Sequence, residues 1–217
     1  MIVSPRLRRG TLLTLEGGEG SGKSSQAEAL ASLMRAQGYA VTLTREPNGT
    51  ELGGIVKDVF QSARGGIAVT PEAELLLFAA ARAQHVQEVI RPALERGEAV
   101  LCDRYTDSTL AYQGHGRGLS LDHIRAVNHI ATGALPPQFT ILLDVPPETG
   151  LARKDHERLG DSIGRESLEF HQRVREGYLE LARREPKRIA VVDASLPREQ
   201  VTEAAWRHLQ RFLDHLL

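Results

Sequence analysis

The stretch GGEGSGKS, residues 17–24, leaves the apolar run TLLTLE at 11–16 and opens a segment of helical periodicity at 24–36. It fits the pattern G-x-x-x-x-G-K-[ST], with Gly17, Gly22, Lys23 and Ser24 at the fixed positions. Glycine lets the backbone take positive φ and approach an anion with no Cβ in the way. Successive N–H groups can then surround phosphate oxygens at a helix N-terminus. The candidate phosphate-binding residues are therefore Gly17, Gly18, Glu19, Gly20, Ser21, Gly22, Lys23, Ser24 and Ser25. Lys23 adds a mobile positive charge that can follow the β- and γ-phosphates, and the Ser24 hydroxyl is placed to help hold Mg2+. The expected ligand is a nucleoside triphosphate.

A phosphate loop fixes a ligand and not a function, because switches, motors and kinases all use one. An NKxD base-reading motif is missing, as is anything like LSGGQ; KD occurs only in VKDV and RKDH. The chain carries instead a second set of anion-reading groups, Arg45 and Arg104, at the ends of apolar runs. Guanidinium forks suit phosphate geometry, so two facing phosphate sites suggest phosphoryl transfer between two small molecules. Phe78 and Arg82 are four apart in a helical segment. On one helix face, a ring and a guanidinium can address the face and the edge of one planar base. Asp103 and Asp144 both end apolar runs, and either can be the strand-end acid; the DRY context favours Asp103.

These groups need a scaffold. Apolar runs at 11–16, 40–44, 99–103, 140–145 and 189–193 read as buried strands, and periodic segments at 24–36, 72–95, 121–132, 166–184 and 198–215 read as helices. Strands alternating with helices predict a parallel sheet covered on both faces, since parallel strands need crossovers long enough to hold a helix. Ligands bind at the carboxyl ends of such strands. Those ends deliver EGGEGSGKS, REPNGT, DRYTDST, DVPPETG and DASLP. With 217 residues and 41% hydrophobic content, one domain is expected over 1–217. A net charge of -1 gives no basic surplus for nucleic acid or an anionic membrane. The single cysteine, Cys102, rules out an internal disulfide and is expected as a buried packing residue. No apolar run is long enough to span a bilayer, and no His or Cys spacing suits zinc. A soluble cytoplasmic protein is the expectation.

The segments LEGGEGSGKSSQ, TREPNGT, LLLFAAARAQH, DRYTDSTLAYQGHGRG and ILLDVPPETGLAR resemble, in order and spacing, the successive motifs of thymidylate kinases. The resemblance runs from about residue 11 to residue 195. It implies a three-layer α/β P-loop fold with a five-stranded parallel sheet. It also implies ATP-dependent, Mg2+-assisted phosphorylation of dTMP to dTDP, in dTTP biosynthesis, by a homodimer. Carried over residue by residue, Arg45 and Arg104 bind the dTMP phosphate, and Phe78 and Arg82 hold the thymine. Ser108, Thr109 and Gln113 complete the base pocket, and Tyr112 crowds the sugar 2′ position. The resemblance puts Asp103 near Mg2+ and the phosphates, Glu19 near Arg104 and the sugar 3′-OH, and the adenine around Ala194 and Ser195.

The departures from the family pattern also carry information. Asn48 stands where glycine is usual, Ser25 where threonine is common, and Gly20 where some members place an arginine. With no arginine in the loop, the resemblance implies that a lid at 152–166, ARKDHERLGDSIGRE, closes over ATP and brings Arg153 or Arg158 to the transferring group. The lid reads DSIG at 161–164 where an Asp-Arg-apolar-Glu segment is common. The alternatives are another P-loop nucleoside or nucleotide kinase, and a nucleotide-dependent switch without turnover of a small molecule.

Overall fold

Thr11–Gly17 (β1) is buried along its whole length, as a strand covered on both faces must be. Its side chains alternate. Leu13 and Leu15 pack to one side with Leu101, Ile141 and Leu143, whereas Leu12 packs to the other with Val100 and Cys102. In the computed structural model, which describes residues 9–62, 69–155 and 166–216, four further strands flank it: Val41–Arg45 (β2), Ala99–Asp103 (β3), Phe139–Asp144 (β4) and Ile189–Asp193 (β5). The sheet order is β2-β3-β1-β4-β5, and every neighbouring pair is parallel. This is the expected fold, a five-stranded parallel sheet between helical layers.

Register decides what the sheet can do. Leu15 and Arg45 both lie opposite Asp103, and Gly17 lies opposite Leu143. The loop after β1, Arg45 at the end of β2 and Asp103–Arg104 at the end of β3 therefore emerge at one edge. Because β1 is central and the chain continues to either side of it, that edge holds the crevice where open parallel sheets bind ligands.

Helices Lys23–Ala36 (α1) and Arg198–Asp214 (α9) cover one face, burying Leu30, Met34, Leu209 and Leu213 against the sheet. Glu51–Ser62 (α2) follows β2. Next comes Pro71–His85 (α3), capped by the Thr70 side chain, which accepts from the Ala73 N–H, and started by Pro71. The sequence reads as one helix over 72–95, but a π-helical turn at Val86–Ile90 separates α3 from Arg91–Glu95 (α4). Pro92 has no N–H to give to the carbonyl four residues back, and its ring crowds that carbonyl, so the helical register widens ahead of it.

After β3 come Thr106–Thr109 (α5) and a second π-helical stretch, Leu110–Gly116, which carries Tyr112 and Gln113. The remaining helices are Leu121–Thr132 (α6), Pro147–Asp155 (α7) and Leu168–Arg184 (α8). Phe170, Val174 and Tyr178 of α8 close a core with Ala111, Tyr112, Ile124 and Leu142. Cys102 is buried and forms no disulfide, as expected; burial pushes its thiol up, and Sγ donates to the Arg104 carbonyl at 3.0 Å.

Candidate active site

Gly22, at φ 83, caps α1 and turns the loop so that Lys23 enters the first helical turn. Lys23 Nζ donates to the Gly18 carbonyl at 2.7 Å and to Ser21 Oγ at 3.2 Å. Burial, with the repulsion of Arg104, pushes its ammonium down to about 8. The negative charge of a polyphosphate beside it would oppose both effects and favour the charged lysine. Gly20, at φ 64, has its back against α7: a Cβ there would lie 1.9 Å from the Gly150 carbonyl oxygen. A Cβ on Gly150 would in turn meet the Glu19 carbonyl oxygen at 2.2 Å. Backbone packs directly on backbone here, so position 20 has no room for an arginine.

The Ser24 hydroxyl donates to Asp103 Oδ2 at 2.7 Å. Asp103 Oδ1 is buried and, among the described residues, has no partner. Asp144, the other strand-end acid, is gripped through both oxygens by Arg175, at 2.7 and 2.8 Å. Of the two, it is Asp103 that lines the main cleft.

That cleft measures about 1040 Å3 and is lined by the loop from Glu19 to Ser25 together with Arg45, Phe78, Arg82, Asp103, Arg104, Ser108, Thr109, Tyr112, Gln113 and Arg153. Ala194 and Ser195 lie on its wall as well. Gly17 and Gly18 shape the loop from behind, the latter through the carbonyl that holds Lys23. Arg104 itself sits at φ 72, and its Nη2 donates to Glu19 Oε1 at 2.8 Å. Its guanidinium lies 5.0 Å from the centre of the Tyr112 ring, and the Tyr112 hydroxyl donates to the same Glu19 oxygen at 3.1 Å. A cation, a carboxylate and a phenol are thus locked together beside the phosphate loop.

On the opposite wall, Phe78 stacks on Phe60 of α2 with centroids 4.8 Å apart. Arg82 is nearly fully buried, and all three of its nitrogens are engaged by protein. Nε donates to Glu46, Nη1 to Thr109 and Asn128, and Nη2 to the Tyr105 carbonyl. Nη2 also lies 2.8 Å from Glu46 Oε2, so a base edge reaches Arg82 only by sharing a donor that is already engaged. Arg153 donates to the carbonyls of Ala194 and Ser195, at 2.8 and 3.2 Å, and is so held against the loop after β5. Arg158 and most of the 152–166 segment lie outside the described residues.

A family model described as thymidylate kinase matches residues 15–205. The chain is 53% identical over 194 residues to the thymidylate kinase of Synechococcus sp. (strain JA-3-3Ab), covering 89% of this chain and 92% of that one. The chain belongs to the thymidylate kinase family. The thymidylate kinase of Deinococcus radiodurans is 48% identical over 200 residues, with 92% and 96% covered. A crystal structure of the thymidylate kinase from Ehrlichia chaffeensis superposes with a TM-score of 0.74 at 31% identity, covering 93% of this chain and 99% of that one. As a thymidylate kinase family member, the chain is a nucleoside monophosphate kinase, and the reading as a switch is not favoured.

Within this family member, several site-shaping groups escape sequence inspection. Lys57 and Phe60 of α2 line the cleft, yet Gly53 and Gly54 obscure the helical period there. Glu46 lies in the quoted TREPNGT segment, but only the fold reveals it between Arg82 and His85. Glu16, the one charge in the buried run of β1, accepts from the Tyr105 N–H at 2.8 Å, Ser108 Oγ at 2.6 Å and the Tyr178 hydroxyl at 2.9 Å. It anchors the backbone next to Arg104. Burial first, then the negative charge of Asp107, raises its carboxyl to about 7.

The folded state therefore holds a proton on Glu16 that the unfolded chain releases near 4.5. That contribution to stability is fully present below the unfolded value and is lost as pH rises through about 7. Thermal melts between pH 5 and 8 are expected to show the Glu16→Gln variant losing less stability with rising pH than the wild type. Parallel curves for the two proteins would contradict the assignment.

Proposed function

We infer that this cleft moves the γ-phosphoryl group of ATP onto the phosphate of dTMP, giving ADP and dTDP, a step of dTTP biosynthesis. The observation that carries the reading is one cavity that holds the phosphate loop around Lys23 on one side and Arg45, Arg104, Phe78 and Gln113 on the other. The reaction needs alignment and charge neutralisation more than a covalent group. The loop from Gly17 to Ser25 wraps the donor phosphates, and Lys23 follows the transferring group. The adenine rests by Ala194 and Ser195.

On the acceptor side, Arg45 and Arg104 take the dTMP phosphate. Glu19 aims Arg104 while staying near the sugar 3′-OH, and Tyr112 fills the space that a ribose 2′-OH would need. Phe78, stacked on Phe60, offers the pyrimidine an aromatic surface. Ser108, Thr109 and Gln113 frame the base edge. Arg82, whose donors are committed to Glu46, Thr109, Asn128 and Tyr105, frames the pocket and lends the base one shared donor.

The residues present fit Mg2+. A buried carboxylate oxygen on Asp103 that has no partner among the described residues, beside the Ser24 hydroxyl, suits an ion that takes one or two protein oxygens and completes its shell with water and phosphate. When bound there, Mg2+ supplies positive charge to the phosphate oxygens. We read residues 1–217 as one kinase domain with its lid at 152–166, and Arg158 as the cation brought to the transferring group.

Exposed Leu52 and Ile55 on α2, Leu76 on α3 and Ile130 on α6, which share packed neighbouring helices, support a homodimer through that face. No helix among the described residues is long and apolar enough to cross a membrane, and the cytoplasm is the proposed site of action.

Phe78→Ala is expected to weaken dTMP binding by about 1 to 3 kcal/mol, the range for base stacking on an aromatic, and to leave ATP binding near wild type. Separate titrations of the two nucleotides decide it. Equal losses for both would return Phe78 to the core and remove the acceptor site from this wall.

A further inference from the structure

Gln113 is 2% exposed and lines the cleft from the π-helical stretch. Its Nε2 donates to Glu74 Oε1 at 2.8 Å. A carboxylate accepts and has nothing to donate, so this contact fixes which way the amide points. The nitrogen faces Glu74. Among the described residues nothing donates to Gln113 Oε1, and this oxygen is the end left for the cleft.

Glu74 is held in its turn. Arg117 reaches both carboxylate oxygens, Nε to Oε1 at 3.2 Å and Nη2 to Oε2 at 3.0 Å. Arg117 Nη1 is tied to Glu166 at 2.6 Å, and its guanidinium lies 4.8 Å from the centre of the Phe170 ring. Glu74 is itself 3% exposed and does not line the cleft. It precedes Phe78 by one helical turn and Arg82 by two, so all three share one stripe of α3.

We propose that Glu74 is a positioning residue that sets the hydrogen-bond polarity of the acceptor-base pocket. It makes Gln113 present a carbonyl oxygen, and so selects a pyrimidine whose N3 carries a proton. Thymine and uracil have that N3–H. Cytosine has a lone pair there, which would face the amide oxygen acceptor to acceptor. Turning the amide to suit cytosine would set its oxygen against the Glu74 carboxylate. The proposal rests on the reading of Gln113 as part of the base pocket.

Glu74→Gln keeps the shape and removes the constraint, because an amide at 74 can donate to Gln113 or accept from it. The experiment measures kcat and KM of wild type and variant with dTMP, dUMP and dCMP. The expected result is a rise of about tenfold in the dCMP-to-dTMP ratio of kcat/KM, carried by KM, with the dUMP-to-dTMP ratio unchanged. An equal loss for all three acceptors, or an unchanged dCMP-to-dTMP ratio, overturns the proposal.

Gln113→Leu separates this from the reading beneath it. If that variant leaves KM for both dTMP and dCMP at wild-type values, the base-pocket reading fails and the proposal falls with it. If it changes them while Glu74→Gln leaves the ratio alone, only the proposal falls. Should Glu74→Gln not fold, wild-type protein labelled with 15N-glutamine gives the answer. The Gln113 side-chain amide protons are expected to be protected from solvent exchange before any nucleotide is added, and rapid exchange there overturns the fixed amide.

Discussion

Lys23→Ala is expected to lose at least about two orders of magnitude in kcat, the scale set by removing one preorganised charge from a water-poor site. It should keep the wild-type circular dichroism spectrum. The two hydrogen bonds of Nζ go to Gly18 and Ser21, both within the loop itself, so among the described residues no distant element is held by the side chain. Burial first, then Arg104, lowers the ammonium to about 8, and a neighbouring phosphate would oppose that shift, which puts its contribution in the nucleotide complex. Near-native turnover in a folded Lys23→Ala protein would remove the phosphate loop from the mechanism.

Arg158→Ala is expected to lower kcat by about a thousandfold, within the range for arginines that meet a transferring phosphoryl group, with dTMP affinity nearly unchanged. Three alternatives are disfavoured by the geometry. Position 20 cannot carry an arginine because Gly150 lies against it. Arg104 is tied to Glu19, and Arg153 to the carbonyls of Ala194 and Ser195. Arg153→Ala should therefore act mainly through a raised KM for ATP. Arg165→Ala serves as the control and should matter less. If Arg158→Ala keeps wild-type kcat while Arg153→Ala loses it, then Arg153 leaves its carbonyls during turnover and is the cation sought.

The parts of this site that were legible in the sequence are those whose chemistry is local. The phosphate loop is a run of adjacent residues, and its glycines state the backbone conformation directly. Arg45, Asp103 and Arg104 were legible because the carboxyl ends of parallel strands share one edge of the sheet whatever the strand order. Sequence periodicity could not supply that order, nor the π-helical stretch that delivers Tyr112 and Gln113.

The buried carboxylates were the least legible. Glu16, Glu46 and Glu74 take their meaning from partners that are remote in sequence, such as Tyr178 for Glu16 and Gln113 for Glu74. Arg82 shows the same limit from the other side. Its spacing from Phe78 places it correctly on the cleft face, but only the fold shows its guanidinium committed to Glu46, Thr109, Asn128 and Tyr105.

The proposed reaction requires that one cleft couple the phosphate loop to a thymidylate acceptor. Coupled ADP release, measured with ATP and Mg2+ in the presence of dTMP, dUMP, dCMP, AMP or GMP in turn, tests it most directly. Turnover is expected to require an acceptor and to have its highest kcat/KM with dTMP. Slow ADP release that is indifferent to the acceptor, or a higher kcat/KM with a purine monophosphate, would contradict it.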